Sequence, residues 1–172
     1  LTNIHDEDVA QAPSPSEACA DLARFVGGSY LVAHNSAFDR TFVTKNHGGA
    51  PLAENIWIDS LDLARIALPR LKSHRLIDLV HAFDAPVSTH RADADVEATC
   101  AVYRILLAGV AAMPPDMIGY IAELATPTEW PTVKVFKYFA QKFCDDRNAI
   151  KGSDEIASPL LKQDYCNDEI KT

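Results

Sequence analysis

With 172 residues and an apolar content of 48%, the chain is long enough to fold as one domain with a sizeable core, with or without an appendage. Its net charge of -8, from 24 acidic and 16 basic residues, excludes a polycationic protein that coats nucleic acid. The charge does not exclude phosphodiester chemistry, because divalent metal ions can bridge carboxylates to phosphates.

Signals for targeting and for zinc binding are absent from the sequence. No run of 18 apolar residues would form a transmembrane helix, and no basic segment followed by an apolar one opens the chain. We therefore expect a cytoplasmic protein that does not contact the membrane. The four cysteines are scattered without a C-x-x-C pair, so no zinc site is indicated.

The N-terminal part of the chain predicts a loop, a helix and a strand. Residues 1–8 are polar and predict a loop. Ser14 or Ser16 caps a helix that continues to about Val26, with one apolar face formed by Cys19, Leu22, Phe25 and Val26. Residues 30–33 are apolar without alternation, which is typical of a short strand covered on both faces.

A polar pair follows that strand, and a carboxylate follows four residues later. His34 and Asn35 end the strand, and Asn35 or Ser36 caps a helix that Gly48 and Gly49 end. Phe38 and Phe42 lie one turn apart and are expected to pack, which leaves Asp39 free to face a cleft.

The rest of the chain predicts a second strand and a series of helices. The strand is 55–58, and helices follow from Asp59 or Ser60 to Leu68 and around Leu76 to Phe83. A long helix then continues to about Ala112, with a predicted apolar stripe of Val96, Cys100, Tyr103, Leu107 and Val110. Two further helices at 116–125 and 131–143 precede a polar tail from residue 151.

Each polar residue also has a purely structural interpretation. Asp39 alone is more simply a first-turn carboxylate stabilised by the helix dipole, and Asp59 is most simply a capping residue. His34 at a strand end is more often structural than catalytic. A small basic spot is more simply a solvated linker than a contact to phosphate, and it consists of Lys72, His74 and Arg75.

His90 and Asp95 lie on either side of a predicted loop-to-helix junction. A histidine in the loop and a carboxylate in the first helical turn can converge on one cavity. The functional interpretation is a metal-ligand carboxylate beside a neutral imidazole that accepts a proton from metal-bound water. Capping of the helix explains the same pair equally well.

Two motifs resemble those of the DEDDh 3'-5' exonucleases and occur in the same order along the chain. Residues 32–39 (VAHNSAFD) resemble the second motif of this family, and residues 90–95 (HRADAD) resemble the third. The similarity extends from Leu1 to about Ala112. The family is DnaQ-like and related to the epsilon proofreading subunit of bacterial DNA polymerase III. The resemblance implies an α/β, RNase H-like exonuclease fold.

The resemblance also implies roles for individual residues. In this family two divalent ions, Mg²⁺ or Mn²⁺, sit among four carboxylates. Asp39 and Asp95 would be two of these metal ligands, and His90 would be the general base. Substrate binding is assigned to residues of the second motif, namely His34, Asn35 and Phe38.

The first motif of the family, an Asp-x-Glu on an N-terminal strand, has no counterpart upstream of Asp39. We therefore expect a fold truncated at its N-terminus, with an exonuclease domain at 1–112 that lacks three strands. A helical extension at 113–150 and a polar tail at 151–172 follow. Such a chain is expected to be inactive or weakly active. Because a strand edge is unpaired, it is also expected to be poorly stable, to self-associate, or to have helices repacked over the gap.

Three functions are compatible with these residues. The first is a 3'-5' exonuclease acting on single-stranded or frayed DNA 3' ends, with a polymerase or helicase as partner. The second is a non-catalytic module that binds nucleic acid or such a partner. The third is an exoribonuclease of the same family, since no base-reading residues are visible in the sequence.

Overall fold

The computed structural model describes residues 4–86 and 92–152, which are mostly helical with one small parallel sheet. The chain divides into two compact units, one ending at Leu107 and one beginning at Ala108. The helices are α1 Asp6–Val9, α2 Pro15–Val26, α3 Ser36–Lys45, α4 Ser60–Ala67, α5 Leu76–Phe83, α6 Ala92–Ala111, α7 Pro115–Glu123 and α8 Val133–Gly152. The strands are β1 Leu31–Ala33 and β2 Trp57–Asp59, and a 3₁₀ helix spans His47–Glu54.

The start of α2 follows directly from its sequence. Ser14 and Glu17 form a capping box, in which each side chain accepts a hydrogen bond from the backbone of the other residue. This confirms Ser14 as the cap. Cys19 is buried as expected, but Phe25 is 90% exposed, so the predicted apolar face of α2 is wrong at that position. The predicted loop at 1–8 is also wrong in part, because residues from Asp6 form α1.

The two strands pair in parallel, with Leu31 opposite Trp57 and Ala33 opposite Asp59. Both predicted strands are confirmed, although each is only three residues long. β2 is the more buried strand, and the indole Nε1 of Trp57 donates a hydrogen bond to the carbonyl of Leu52. Because the strands are parallel, their carboxyl ends lie at the same edge of the sheet.

The connection between the strands consists of α3 and the 3₁₀ helix. α3 ends at Lys45, before the two glycines that were expected to end it, and these glycines lie inside the 3₁₀ helix. A Cβ on Gly48 would lie 2.0 Å from the carbonyl oxygen of Ser16. Only glycine therefore permits this close approach of the 3₁₀ helix to α2.

The core of the first unit consists of aliphatic side chains on α4, α5 and α6. Fully buried members are Leu63, Ala64, Leu79, Val80, Ala98, Val102 and Leu106. The predicted stripe of α6 is wrong at its first two positions, because Val96 is 61% exposed and Cys100 is also exposed, whereas Val110 is fully buried as predicted. The buried stripe of α6 begins instead at Ala98, with a spacing of four residues.

The second unit is built around the packing of α7 on α8. Ile118 and Ala122 of α7 are buried, as are Val133 and Phe136 of α8. The ring of Trp130 stacks on that of Phe136 with centroids 5.7 Å apart. Both helices were predicted, and α8 continues beyond the predicted end at residue 143. The polar tail was predicted from residue 151, but α8 continues to Gly152, and residues 153–172 lie outside the described residues.

None of the described helices is by itself long and apolar enough to cross a membrane. α6 and α7 meet the length and composition criteria only when taken together, as a pair bent by 109°.

The aromatic side chains of α2 and α3 generate a first testable prediction. Because Phe25 is 90% and Phe42 60% exposed, replacing either by serine is expected to change the free energy of unfolding by no more than about 0.5 kcal/mol. Each substitution should also lower the fluorescence of a dye that binds apolar surface. Leu63→Ala is the buried control, with an expected loss of about 2–5 kcal/mol in urea denaturation. A loss of similar size at Phe42 would contradict the exposed position.

Candidate active site

The polar residues of interest meet at the carboxyl edge of the sheet. His34 and Asn35 follow β1, and Asp59 ends β2 beside Ser60. The carboxylate of Asp59 accepts hydrogen bonds from the backbone N–H groups of Asn35, at 3.0 Å, and Ser36, at 2.9 Å. It also accepts from the hydroxyl of Ser36 and from the backbone N–H of Leu61. Asp59 therefore binds the first N–H groups of both α3 and α4.

The N-terminus of α3 is capped differently from the sequence-based expectation. Asn35 occupies the N-cap position in a left-handed conformation, with φ 70° and ψ 55°, and its side chain makes no capping hydrogen bond. Asparagine adopts this conformation more readily than most residues with a side chain. The predicted capping by Asn35 or Ser36 is thus wrong, since Asp59 supplies the acceptor. The expected capping of α4 by Asp59 is confirmed.

Asp39 lies in the first turn of α3 and is half-buried. Burial raises the pKa of its carboxyl group, and the negative charge of Asp59 raises it further, while a backbone hydrogen bond acts in the opposite direction. Its neighbour Phe38 is 71% exposed, so the expectation that Phe38 and Phe42 pack together in the core is wrong. The start of α3 therefore carries a partly desolvated carboxylate, Asp39, next in sequence to an exposed aromatic ring, Phe38.

Both ring nitrogens of His34 are engaged within the protein. Nε2 lies 2.8 Å from the carbonyl oxygen of His74, and Nδ1 lies 3.0 Å from the hydroxyl of Ser60. Because a carbonyl only accepts, the proton of neutral His34 is on Nε2, and Nδ1 accepts from Ser60. Burial lowers the pKa of His34 in spite of the opposing bond to His74 and the charge of Asp59. The imidazole thus joins the end of β1 to the segment before α5.

The remaining predicted site residues belong to the start of α6. Asp95 is half-buried in the first turn of that helix, and Asp93, in the same turn, accepts a hydrogen bond from the N–H of Ala94. His90 lies outside the described residues. Within 4–86 and 92–152, no group of three or more His, Cys, Asp or Glu side chains could hold a metal ion. The described donors therefore do not by themselves fit a two-ion site.

From its position in the sequence, Asp59 is predicted only as a cap of α4. Its contact with α3 depends on the parallel register of two strands that are separated by 23 residues in the chain. An aspartate directly after a buried strand was the available signal, because carboxyl ends of neighbouring parallel strands meet at one edge.

The fold and this edge define an α/β domain whose polar residues gather where two parallel strands end. A family model described as Exonuclease matches residues 1–103. The chain therefore belongs to the exonuclease family, which confirms the predicted resemblance, and the family implies an RNase H-like fold.

Curated relatives are similar over parts of their length. The chain is 40% identical over 102 residues to DNA polymerase III PolC-type of Halalkalibacterium halodurans, which covers 58% of this chain and 7% of that protein. It is 31% identical over 128 residues to the 3'-5' exonuclease DinG of Staphylococcus saprophyticus, with 73% of this chain and 14% of that protein covered. The chain thus spans a small fraction of each relative. No solved structure matches the chain.

The four hydrogen bonds of Asp59 generate a second prediction. Asp59→Ala removes the acceptor for two helix N-termini and is expected to lower the free energy of unfolding by about 2 kcal/mol. Asp62→Ala is the matched control in the same helix, because it removes the same carboxylate group at a position where it forms a long ion pair to Arg65, at 3.5 Å. The control is expected to lose at most about 1 kcal/mol in urea denaturation. Equal losses would refute the capping role.

A third prediction concerns the pH dependence of stability. Because the folded-state pKa of Asp39 is raised, ionisation of this group lowers the stability of the fold as the pH rises from the ordinary aspartate pKa to the folded-state pKa, and the loss is complete above it. Below the ordinary aspartate pKa of about 3.9 the group is neutral in both states and has no such effect. Asp39→Asn is therefore expected to have a higher unfolding temperature than the wild type at neutral pH, with the difference closing in acid. A difference independent of pH would contradict this assignment.

Proposed function

We propose that this chain is the exonuclease part of a protein that hydrolyses phosphodiester bonds at DNA 3' ends. The observation that carries the proposal is the position of Asp39. A half-buried carboxylate with a raised pKa lies one helical turn beyond the carboxyl end of β1, within the segment that the exonuclease family model matches. Partly desolvated carboxyl groups with shifted pKa values are concentrated at functional sites.

The proposed roles follow the family motifs. Asp39 and Asp95 are metal ligands of the DEDDh type, and His90 is the general base. Phe38 is suited to substrate binding because its ring is exposed and available to stack on a base. His34 and Asn35 shape the same site, since both nitrogens of His34 are already bonded within the protein and fix the strand end next to Asn35.

We propose Mg²⁺ or Mn²⁺ as the cofactor, in line with the family. The described carboxylates do not complete a site for two ions. The first motif of the family supplies the other two carboxylates, and no Asp-x-Glu precedes Asp39 in this sequence. The proposal is therefore that residues 1–172 alone are inactive or nearly so.

DNA is the proposed substrate because the relatives include a DNA polymerase III of PolC type. A polymerase or a helicase is the proposed partner, and single-stranded or frayed 3' ends are the proposed form of the substrate. RNA is the alternative substrate, and competition between labelled DNA and RNA strands distinguishes the two.

A second candidate is a non-catalytic module that binds nucleic acid or a replication partner. It is favoured by the lack of a three-ligand metal cluster among the described residues. Metal titration distinguishes the candidates, because a catalytic site requires Asp39 and Asp95 to bind the ion, whereas a binding module is indifferent to both substitutions.

The fourth prediction is a nuclease assay on two forms of the protein. With a 3'-labelled DNA strand and Mg²⁺ or Mn²⁺, the 172-residue chain is expected to release no more label than its Asp39→Ala variant. The second form is a longer protein that contains these 172 residues preceded by a strand with an Asp-x-Glu motif. This longer product is expected to release label from the 3' end. In that product Asp39→Ala should lower the rate at least about 100-fold.

Asp62→Ala is the control for the longer product, and its rate is expected to stay close to that of the wild type. Robust degradation by the 172-residue chain that Asp39→Ala abolishes would refute the proposed inactivity. A longer product whose degradation of DNA is unaffected by Asp39→Ala would refute the proposed site.

A further inference from the structure

A cleft of about 440 Å³ lies beside the carboxyl end of β1. His34 and Asn35 form one end of it, and Leu61 and Arg65 of α4 contribute to its lining. The segment between α4 and α5 completes the cleft with Lys72, Ser73, His74, Arg75 and Leu76. The cleft therefore begins one helical turn, or about 6 Å along the helix axis, before Asp39.

The charge of this cleft is opposite to that of the whole chain. The net charge of the protein is -8, yet residues 62–78 contain four Lys or Arg side chains against two carboxylates, Asp62 and Asp78, which form ion pairs with Arg65 and Arg75. Three of these cations, Arg65, Lys72 and Arg75, line the cleft. A local excess of positive charge in a concavity attracts anions more strongly than the same charges on a flat surface.

The segment that carries these cations is fixed by hydrogen bonds. The carbonyl of His74 accepts from Nε2 of His34, and Nε2 of His74 lies 3.0 Å from the carbonyl oxygen of Leu68. The hydroxyl of Ser73 donates to Asp78 at 2.5 Å. Because the backbone around the cleft is held from both sides, a ligand would lose little affinity to ordering of this segment.

The cations retain donors for a ligand. Nε and one Nη of Arg75 donate to Asp78, at 2.7 and 3.2 Å, which orients the guanidinium and leaves three of its five N–H groups without a partner among the described residues. Lys72 is exposed and makes no ion pair or hydrogen bond within the part of the chain that the structure describes. A planar guanidinium fork and an ammonium group that line one cleft suit phosphate oxygens.

We propose that this cleft binds the phosphodiester backbone of a single-stranded nucleic acid and so holds the substrate strand next to Asp39. The inference rests on the proposed function for the identity of the strand. A single strand fits better than an anionic membrane, since a concave cleft does not match a flat lipid surface. A guanidinium fork accepts carboxylate and phosphate alike, so the preference over an acidic peptide comes from the membership of the chain in the exonuclease family.

The test is equilibrium binding by the full 172-residue chain. The probe is a short fluorescein-labelled oligothymidylate, and fluorescence anisotropy is measured in EDTA so that metal binding at Asp39 has no influence. Lys72→Glu is expected to weaken binding about tenfold or more, and to lower the slope of log affinity against log salt by about 0.7. Lys45→Glu is the matched control, because it makes the same charge change on an exposed lysine at the end of α3 and outside the cleft. Its affinity is expected to change no more than about twofold.

Three results would overturn the proposal. These are equal weakening by Lys72→Glu and Lys45→Glu, no binding of the oligonucleotide by the wild-type chain, and tighter binding of polyglutamate or phosphatidylserine vesicles than of the oligonucleotide. Circular dichroism of both variants establishes that they are folded, which is expected because both lysines are exposed.

The proposed cleft and the proposed nuclease site are tested by separate measurements, so either proposal can be refuted without the other. Asp39→Ala is expected not to weaken binding in EDTA, because Asp39 does not line the cleft and its negative charge repels phosphate. If the nuclease assay finds no activity that depends on Asp39 while Lys72→Glu still weakens binding, the proposed hydrolysis is wrong and the phosphate-binding cleft stands. If activity depends on Asp39 and the two lysine variants bind equally, the cleft alone is wrong.

Discussion

The carboxylate of Asp59 is the interaction on which the candidate site depends. Helix N-termini expose backbone N–H groups that no residue of the same helix can satisfy, and they carry partial positive charge. Asp59 binds such groups at the starts of both α3 and α4. These hydrogen bonds hold Asn35 in its left-handed conformation. The conformation of Asn35 sets the direction in which α3 leaves the sheet, and therefore the position of Asp39.

The same carboxylate makes the position of Asp39 electrostatically unfavourable. Asp39 is partly desolvated, and the nearby negative charge adds to the cost of ionising it. Among the described residues, no Lys, Arg or His forms an ion pair with Asp39. Proteins keep such local conflicts mainly where function requires them, since stability alone would favour a neutral side chain. The cost at Asp39 is therefore in line with the role proposed for it.

Local signals in the sequence were sufficient to predict most elements but not their buried faces. The capping box at Ser14 and the apolar run of β1 depend on neighbours in the chain, and both were predicted. α6 was predicted as a helix, but it carries two apolar stripes, one through Val96 and one through Ala98. Periodicity cannot choose between two stripes of the same period, because tertiary packing decides which one is buried. The smaller alanine is on the buried side.

The site divides in the same way between local and long-range determinants. The motif around Asp39 is contiguous, so its placement after β1 could be predicted, whereas the bond from Asp59 to α3 and the contact of His34 with His74 join residues far apart in sequence. These long-range contacts bring a negative edge and a basic cleft together. An acidic protein repels a polyanion at long range, but screening limits this repulsion to about 10 Å, and within that distance the local cations of the cleft dominate. The net charge of the chain is therefore compatible with a nucleic-acid substrate.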